Sequence, residues 1–301
     1  MRPPSVSLTL PAAISGLAVV NRSPRVAAGL ADGRVAIWSP NEAAASLILQ
    51  PHAARVMAVG TTTDGQHLLS VASDGTLART PISPGATSIS SKVDLGSTAT
   101  RAAAFSSDGT RLVAGGGDGE VRVIDTATGS VTAVLRGHRT ELQAVALQPG
   151  TAMVASASAE ADLRFWDFAS GRELKRIDCG LSLFAIDFSP RDGTLASGGV
   201  ARRLTLRRIS TFETIGELLL EAPNMIGALA WSPDGRRLAI GHIDSDSLSR
   251  GGVRVVDAST HVALATLDTG DTPVSALAFS GNGGVIVAAV GRDLRAWPLA
   301  L

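Results

Sequence analysis

Hydrophobic and polar positions along the chain fall into short runs, with none of the three-and-four spacing that marks an amphipathic helix. Six segments read as an apolar strand ending in a polar turn: LAVVNRSP, VGTTTDG, AFSSDG, ALQPG, DFSPRDG and AWSPDG; AFSGNG adds a seventh. Each is followed by an almost unbroken apolar run rich in Ala and Gly (VAAGL, LLSVA, LVAGG, MVASA, TLASGG, LAIG, VIVAAV). A second polar turn then leads into an alternating strand (RVAIW, TLART, EVRVI, DLRFW, LTLRR, GVRVV, LRAW). Unbroken runs of small apolar residues suit sheets covered on both faces by neighbours. The pattern predicts an all-β chain.

The turn glycines Gly65, Gly109, Gly150, Gly193, Gly235 and Gly283 recur every 41–48 residues. A four-stranded propeller blade takes about 40–45 residues, so the spacing predicts a seven-bladed β-propeller with four antiparallel strands per blade across all 301 positions. The expected blades are 12–50, 54–95, 99–135, 141–178, 182–221, 225–268 and 273–301. The last of these stops at Trp297-Pro298 without an outermost strand, while Val6 to Leu10 form a spare alternating strand ahead of blade one. Residues 5–10 are therefore expected to complete blade seven and remove an open edge. The competing reading of residues 1–28 is a signal peptide, with Arg2 ahead of an apolar stretch; Pro11 interrupts it, and the repeat needs both halves.

Several segments resemble the WD-repeat propeller family. Gly137-His138 precedes LQAVALQPG and MVASASAEADLRFWD, which ends in Trp166-Asp167; the SPDG at Ser232 to Gly235 and the ADGRVAIW ending at Trp38 add to the likeness. Every blade departs from the family pattern to some degree. The Trp-Asp slot holds Trp38-Ser39, Ile124-Asp125, Val256-Asp257 and Trp297-Pro298 elsewhere, and Arg207-Arg208 in blade five. The resemblance implies a hydrogen-bonded structural tetrad of His, Ser/Thr, acid and Trp. Carried over, it falls on His138, Ser156 (or Ser158), Glu160 and Trp166 in blade four, and on His52, Ser70 and Asp74 in blade two with Thr80 in the tryptophan slot. Asp32 and Asp118 share the turn slot of Asp74.

Composition narrows the function. Lys+Arg and Asp+Glu number 27 each, and this balance argues against general phosphate binding to nucleic acid or an anionic membrane. No apolar run reaches the ~18 residues of a membrane helix. The Ala/Arg-rich, Lys-poor usage fits a GC-rich bacterial genome, and the lone Cys179 fits the cytoplasm without proving it. His52, His67, His138, His242 and His261 show no metal-ligand spacing. Glycine clusters precede strands, not helices, so no phosphate loop is expected. Neither catalytic residues nor cofactors are expected.

At the second position of the innermost strands stand Ser15, Met57, Arg101, Gln143, Phe184, Gly227 and Ser275. This ring holds no carboxylate or histidine, but carries residue types enriched where proteins meet. Three further features stand out. Asp187 takes a slot that is Ala or Gly in the other blades, and Arg207 or Arg208 is its expected ion-pair partner. Arg202 and Arg203 make a basic turn able to seat an acidic peptide or phosphate, though an ordinary solvated turn explains it too. Blade six carries an insertion, HIDSDSLSRGG, with residues 243–250 expected to be the most mobile.

The reading is a non-catalytic scaffold, monomeric alone, that docks a protein partner of unknown identity on the channel-mouth face. The candidate contacts are Arg55, Met57, Arg101, Gln143, Phe184, Arg202, Arg203, Asp244 and Asp246. The alternatives are a small-molecule or hydrolytic propeller using the central channel, and nucleic-acid association through the blade-five arginines.

Overall fold

A computed structural model describes the chain except residues 1–3, 5, 22, 84–88, 90, 96–98, 201, 221–223, 245–250 and 300–301. The described residues form seven four-stranded antiparallel sheets and no helix. The first strands of the sheets touch one another in a closed ring, blade one against both blade two and blade seven. Each blade then steps outward through its second, third and fourth strands.

Closure follows the expected route. Val6–Thr9 pairs antiparallel with Asp293–Pro298, Val6 opposite Ala296 and Thr9 opposite Asp293. Leu10 continues the ladder, its N–H donating to the Arg292 carbonyl at 2.8 Å. Leu10 is itself buried among Ile14, Leu30, Trp38, Val287 and Leu294, so the closing strand is held by apolar packing between blades seven and one as well as by backbone pairing.

The cores lie between blades, which explains the small residues in the second strands. Gly29, Gly115, Gly198 and Gly241 take one equivalent slot, filled elsewhere by Ala157, Ala289 and Val71. A Cβ on Gly198 would stand 2.7 Å from Ile226 Cγ2, and one on Gly241 would stand 2.8 Å from Val274 Cγ1. Each of those branched side chains opens the inner strand of the next blade, so the small residue sets how closely two sheets approach. The turn ahead of the third strand needs a left-handed residue; Gly33, Gly75 and Gly119 supply it, whereas blade four uses Ala161 at φ 64°.

The blade-six insertion is partly absorbed into strand. The second strand runs Arg237–Asp244 and the third resumes at Gly251, with Ile243 opposite Gly251. Ile243 and Asp244 thus belong to the hairpin rather than to a loop; residues 245–250, Asp246 among them, lie outside the described residues.

Candidate functional site

All seven inner strands carry a bulge at the same place. Pairing with the second strand slips between Ile14 and Gly16, Val56 and Ala58, Thr100 and Ala102, Leu142 and Ala144, Leu183 and Ala185, Ile226 and Ala228, and Val274 and Ala276. The unpaired residues are Ser15, Met57, Arg101, Gln143, Phe184, Gly227 and Ser275. A bulge takes one residue out of the ladder, and in every blade it falls on the aligned second position of the inner strand. Arg101, Phe184, Gly227 and Ser275 are exposed, and Ser15, Met57 and Gln143 are half-buried.

Two ring members are committed to holding the scaffold. Ser15 Oγ donates to the Val56 carbonyl at 2.5 Å, and Ser275 Oγ to that of Ile14 at 2.8 Å, each bridging to the next blade. Arg101 and Gln143 meet at Glu141, with Nε of Arg101 3.1 Å from one carboxylate oxygen and Nε2 of Gln143 3.3 Å from the other. Arg55 is exposed just ahead of Met57. Between the inner strands, a space of about 360 Å³ is lined by residues such as Leu17, Met57, Phe105, Ile186 and Leu277, with no titratable side chain among its described lining. Among the described residues no three His, Cys, Asp or Glu side chains come together to hold a metal ion.

Behind the ring, blade four holds a buried hydrogen-bond chain. Trp166 Nε1 donates to Ser156 Oγ at 2.8 Å, Ser156 Oγ lies 2.7 Å from His138 Nε2, and His138 Nδ1 lies 2.8 Å from Asp162 Oδ1. A carboxylate here only accepts, so Nδ1 carries the proton and Ser156 donates to Nε2, which satisfies a neutral imidazole completely. Burial pulls the His138 pKa down in keeping with this. The acid is Asp162, not Glu160: Glu160 stays in the turn, its N–H 3.2 Å from Ser158 Oγ. Burial pushes the Asp162 carboxyl up, but hydrogen bonds from Ser158, Arg164 and His138 outweigh it and hold its pKa down at about 2.

Blade two runs a similar chain without tryptophan. His52 Nε2 lies 2.8 Å from Ser70 Oγ and Nδ1 lies 2.7 Å from Thr76 Oγ1, which donates to Asp74 at 2.7 Å. Thr76 takes the slot of Asp162, and Asp74 acts one bond further away. Asp74, Asp32 and Asp118 each accept the N–H two residues on, closing their own turns. Burial, aided by Lys92, lowers the His52 pKa to about 4. Thr80, in the tryptophan slot, has no hydrogen-bond partner for its hydroxyl among the described residues.

Blade five keeps the slot and changes its contents. Strand register puts Ser197 where Ser156 stands, Arg203 where Asp162 stands and Arg207 where Trp166 stands; the N–H of Cys179 bonds Ala161 as that of His52 bonds Gly33. Arg207 does not pair with Asp187; its Nη1 donates to Ser197 Oγ at 3.3 Å. Asp187 instead clasps blade six, its carboxylate accepting the Trp231 N–H at 3.1 Å while Trp231 Nε1 donates to the Asp187 carbonyl at 3.1 Å. Burial pushes the Asp187 pKa up to about 7. Arg202 is exposed, and Arg203 lies 3.7 Å from Glu217. Asp162, Thr76 and Trp231 are the partners that sequence reasoning missed. For Asp162 a signal existed, since it is the first residue of its third strand and so pairs in register with the strands that carry the histidine's other partners.

Comparison with known proteins places the repeats. A family profile described as "WD domain, G-beta repeat" matches residues 94–125 and 129–167. The chain is 29% identical to "WD repeat-containing protein SL1-17" of Schistosoma mansoni over 51% of its length and 48% of that protein. It is 25% identical to "WD repeat and HMG-box DNA-binding protein 1" of Xenopus laevis over 46% of its length and 13% of that protein. It is 24% identical to "Small ribosomal subunit protein RACK1y" of rice (Oryza sativa subsp. japonica) over 44% and 41%. The match spans less than half of each of these relatives.

Proposed function

Because the chain is a WD-repeat β-propeller, we propose that it works as a docking platform that holds a protein partner on its mouth face and performs no catalysis. Such propellers are generally non-catalytic scaffolds. The observation that supports the choice of face is the sevenfold bulge, which takes Met57, Arg101, Gln143 and Phe184 out of the ladder and leaves Arg101 and Phe184 exposed. A preorganised backbone loses little entropy on binding, and aromatic, Met and Arg side chains are enriched at protein interfaces. The equal count of 27 basic and 27 acidic residues favours a protein partner over nucleic acid, and the pairing of Arg203 with Glu217 weakens the basic turn of blade five as a phosphate contact. Exposed Arg55 and Arg202 extend the same proposed surface.

The test replaces Met57, Arg101, Gln143 and Phe184 together by Ala and compares affinity capture from the source organism with wild type. Partner recovery falls at least about tenfold while the thermal midpoint stays within a few degrees, because these side chains contribute little to the core. Equal recovery of the same partners by both proteins rejects this face.

A further inference from the structure

The slot that His138, Ser156, Asp162 and Trp166 fill in blade four is hollow in blade five. A cavity of about 140 Å³ opens there, lined by Cys179, Ser197, Arg203, Thr205, Arg207 and Glu217. That is well below the ~300–1,000 Å³ of a drug-sized ligand site and suits one side chain. Its charge is graded by depth. Arg203 and Glu217 stand at the rim, each close to half exposed and 3.7 Å apart, and Asp178 at the edge is exposed. Further in is Arg207, half-buried, held by a single 3.3 Å hydrogen bond to Ser197 and with no carboxylate at ion-pair distance among the described residues. Burial pulls its pKa below the usual arginine value, the mark of a guanidinium whose charge is poorly compensated. Exposed Leu181 also lines the cavity, and exposed Phe184 and Val200 directly follow its lining residues Leu183 and Gly199 in the chain.

We propose that this cavity receives the carboxylate of a Glu or Asp side chain from a docked protein segment, with Arg207 binding the carboxylate and Leu181 and Phe184 seating its apolar flank. The proposal rests on the docking reading above and names one subsite of that face. One uncompensated cation calls for one negative charge, and the planar guanidinium fork matches a carboxylate. A phosphate group, with about −1.5 to −2 charges, would bring its excess charge against Glu217 and Asp178.

Cys179 is the only cysteine of the chain and lines the cavity, so it can report on the pocket without any partner. Its thiolate displaces iodide from iodoacetate or from iodoacetamide to give a thioether. The same thiolate attacks both reagents, so the ratio of the two rates is independent of how much thiolate is present. The ratio of iodoacetate to iodoacetamide rates is expected to exceed that of N-acetylcysteine by roughly fivefold or more, and to fall to the free-thiol value in Arg207→Gln. In wild type, N-acetylglutamate amide at tens of millimolar slows alkylation by iodoacetamide, while N-acetylglutamine amide and inorganic phosphate do not. A free-thiol ratio with no protection overturns the proposal, as does stronger protection by phosphate than by the glutamate derivative. The wild-type arms decide even if the variant folds poorly. No partner is present in this assay, so a wrong docking face leaves its result unchanged, and a failed pocket leaves the captured partners of the ring to be judged separately.

Discussion

In blade four the space behind the inner strand is packed with Trp166 and wired through Ser156 and His138 to Asp162, whereas in blade five Arg207, Ser197, Cys179 and Arg203 occupy the same register and leave a cavity. The backbones match strand for strand, so the hydrogen-bonded network is not what makes a blade. Inter-blade apolar packing does that in both, with Phe165 and Phe188 in one shared cluster and Leu204, Leu206 and Ile226 in the next. The network's contribution is local order and stability. In blade five, where it is absent, the same position is left as a cavity.

The sharpest way to break this comparison is to hollow out blade four. Trp166→Ala removes a fully buried indole and a donor to Ser156, and should cost about 3–5 kcal/mol in urea unfolding; Asp162→Ala, which strands a buried His138 and leaves Arg164 to Glu173 alone, should fall in the same range. Glu160→Ala, two residues away, should stay within about 0.5 kcal/mol. If Glu160 matters and Asp162 does not, the assignment of the acid is wrong.

Acid should probe the histidine chains next. The folded pKa of His52 is about 4, below its ordinary 6.5, so the unfolded chain takes up the proton first as pH falls. The stabilisation is whole above pH 6.5 and is lost between pH 6.5 and about 4, by up to about 3 kcal/mol for this residue. His52→Gln should flatten the slope of unfolding free energy against pH in that interval.

Asp187 has the opposite sign. Its folded pKa of about 7 lies above the ordinary carboxylate value, so the folded state favours the protonated form and stability falls as pH rises from about 4 through 7. Asp187→Asn keeps an acceptor for the Trp231 N–H, and should gain on the order of 1–2 kcal/mol at pH 8, about a third of that at pH 5 and nothing below about pH 4, the half-buried position moderating the effect. Equal gains at both pH values would show that charge is not the cause.

The smallest effects compare the two slots directly. Ala161→Gly relieves the left-handed backbone in blade four and should stabilise by about 0.5–1 kcal/mol. Arg207→Met replaces a half-buried cation by an apolar chain in blade five, and should be neutral or stabilising by up to about 1 kcal/mol. A large loss on Arg207→Met would make that arginine structural and erase the contrast between the blades.

Much of the molecule was legible in one dimension because strand order, turn position and small-residue slots repeat with every blade. The spare Val6 to Leu10 segment announced the closure. Other features depended on side-chain reach across the sheet. Glu160 and Asp162 are two residues apart, and which carboxylate meets His138 is settled by the turn at Ala161 and the direction of the third strand. Asp187 looked for an arginine on its own blade and found a backbone N–H on the next.

The sequence by itself determined the all-β class, the number of blades and their closure, since these follow from local hydrogen-bonding and burial demands repeated about every 43 residues in 301. Only the tertiary structure decided the bulges of the seven inner strands, the partners of the buried polar groups, and the cavity of blade five. Those depend on distances between residues far apart in the chain, where exchanging His138, Asp162 and Trp166 for Cys179, Arg203 and Arg207 turns a packed slot into an open one.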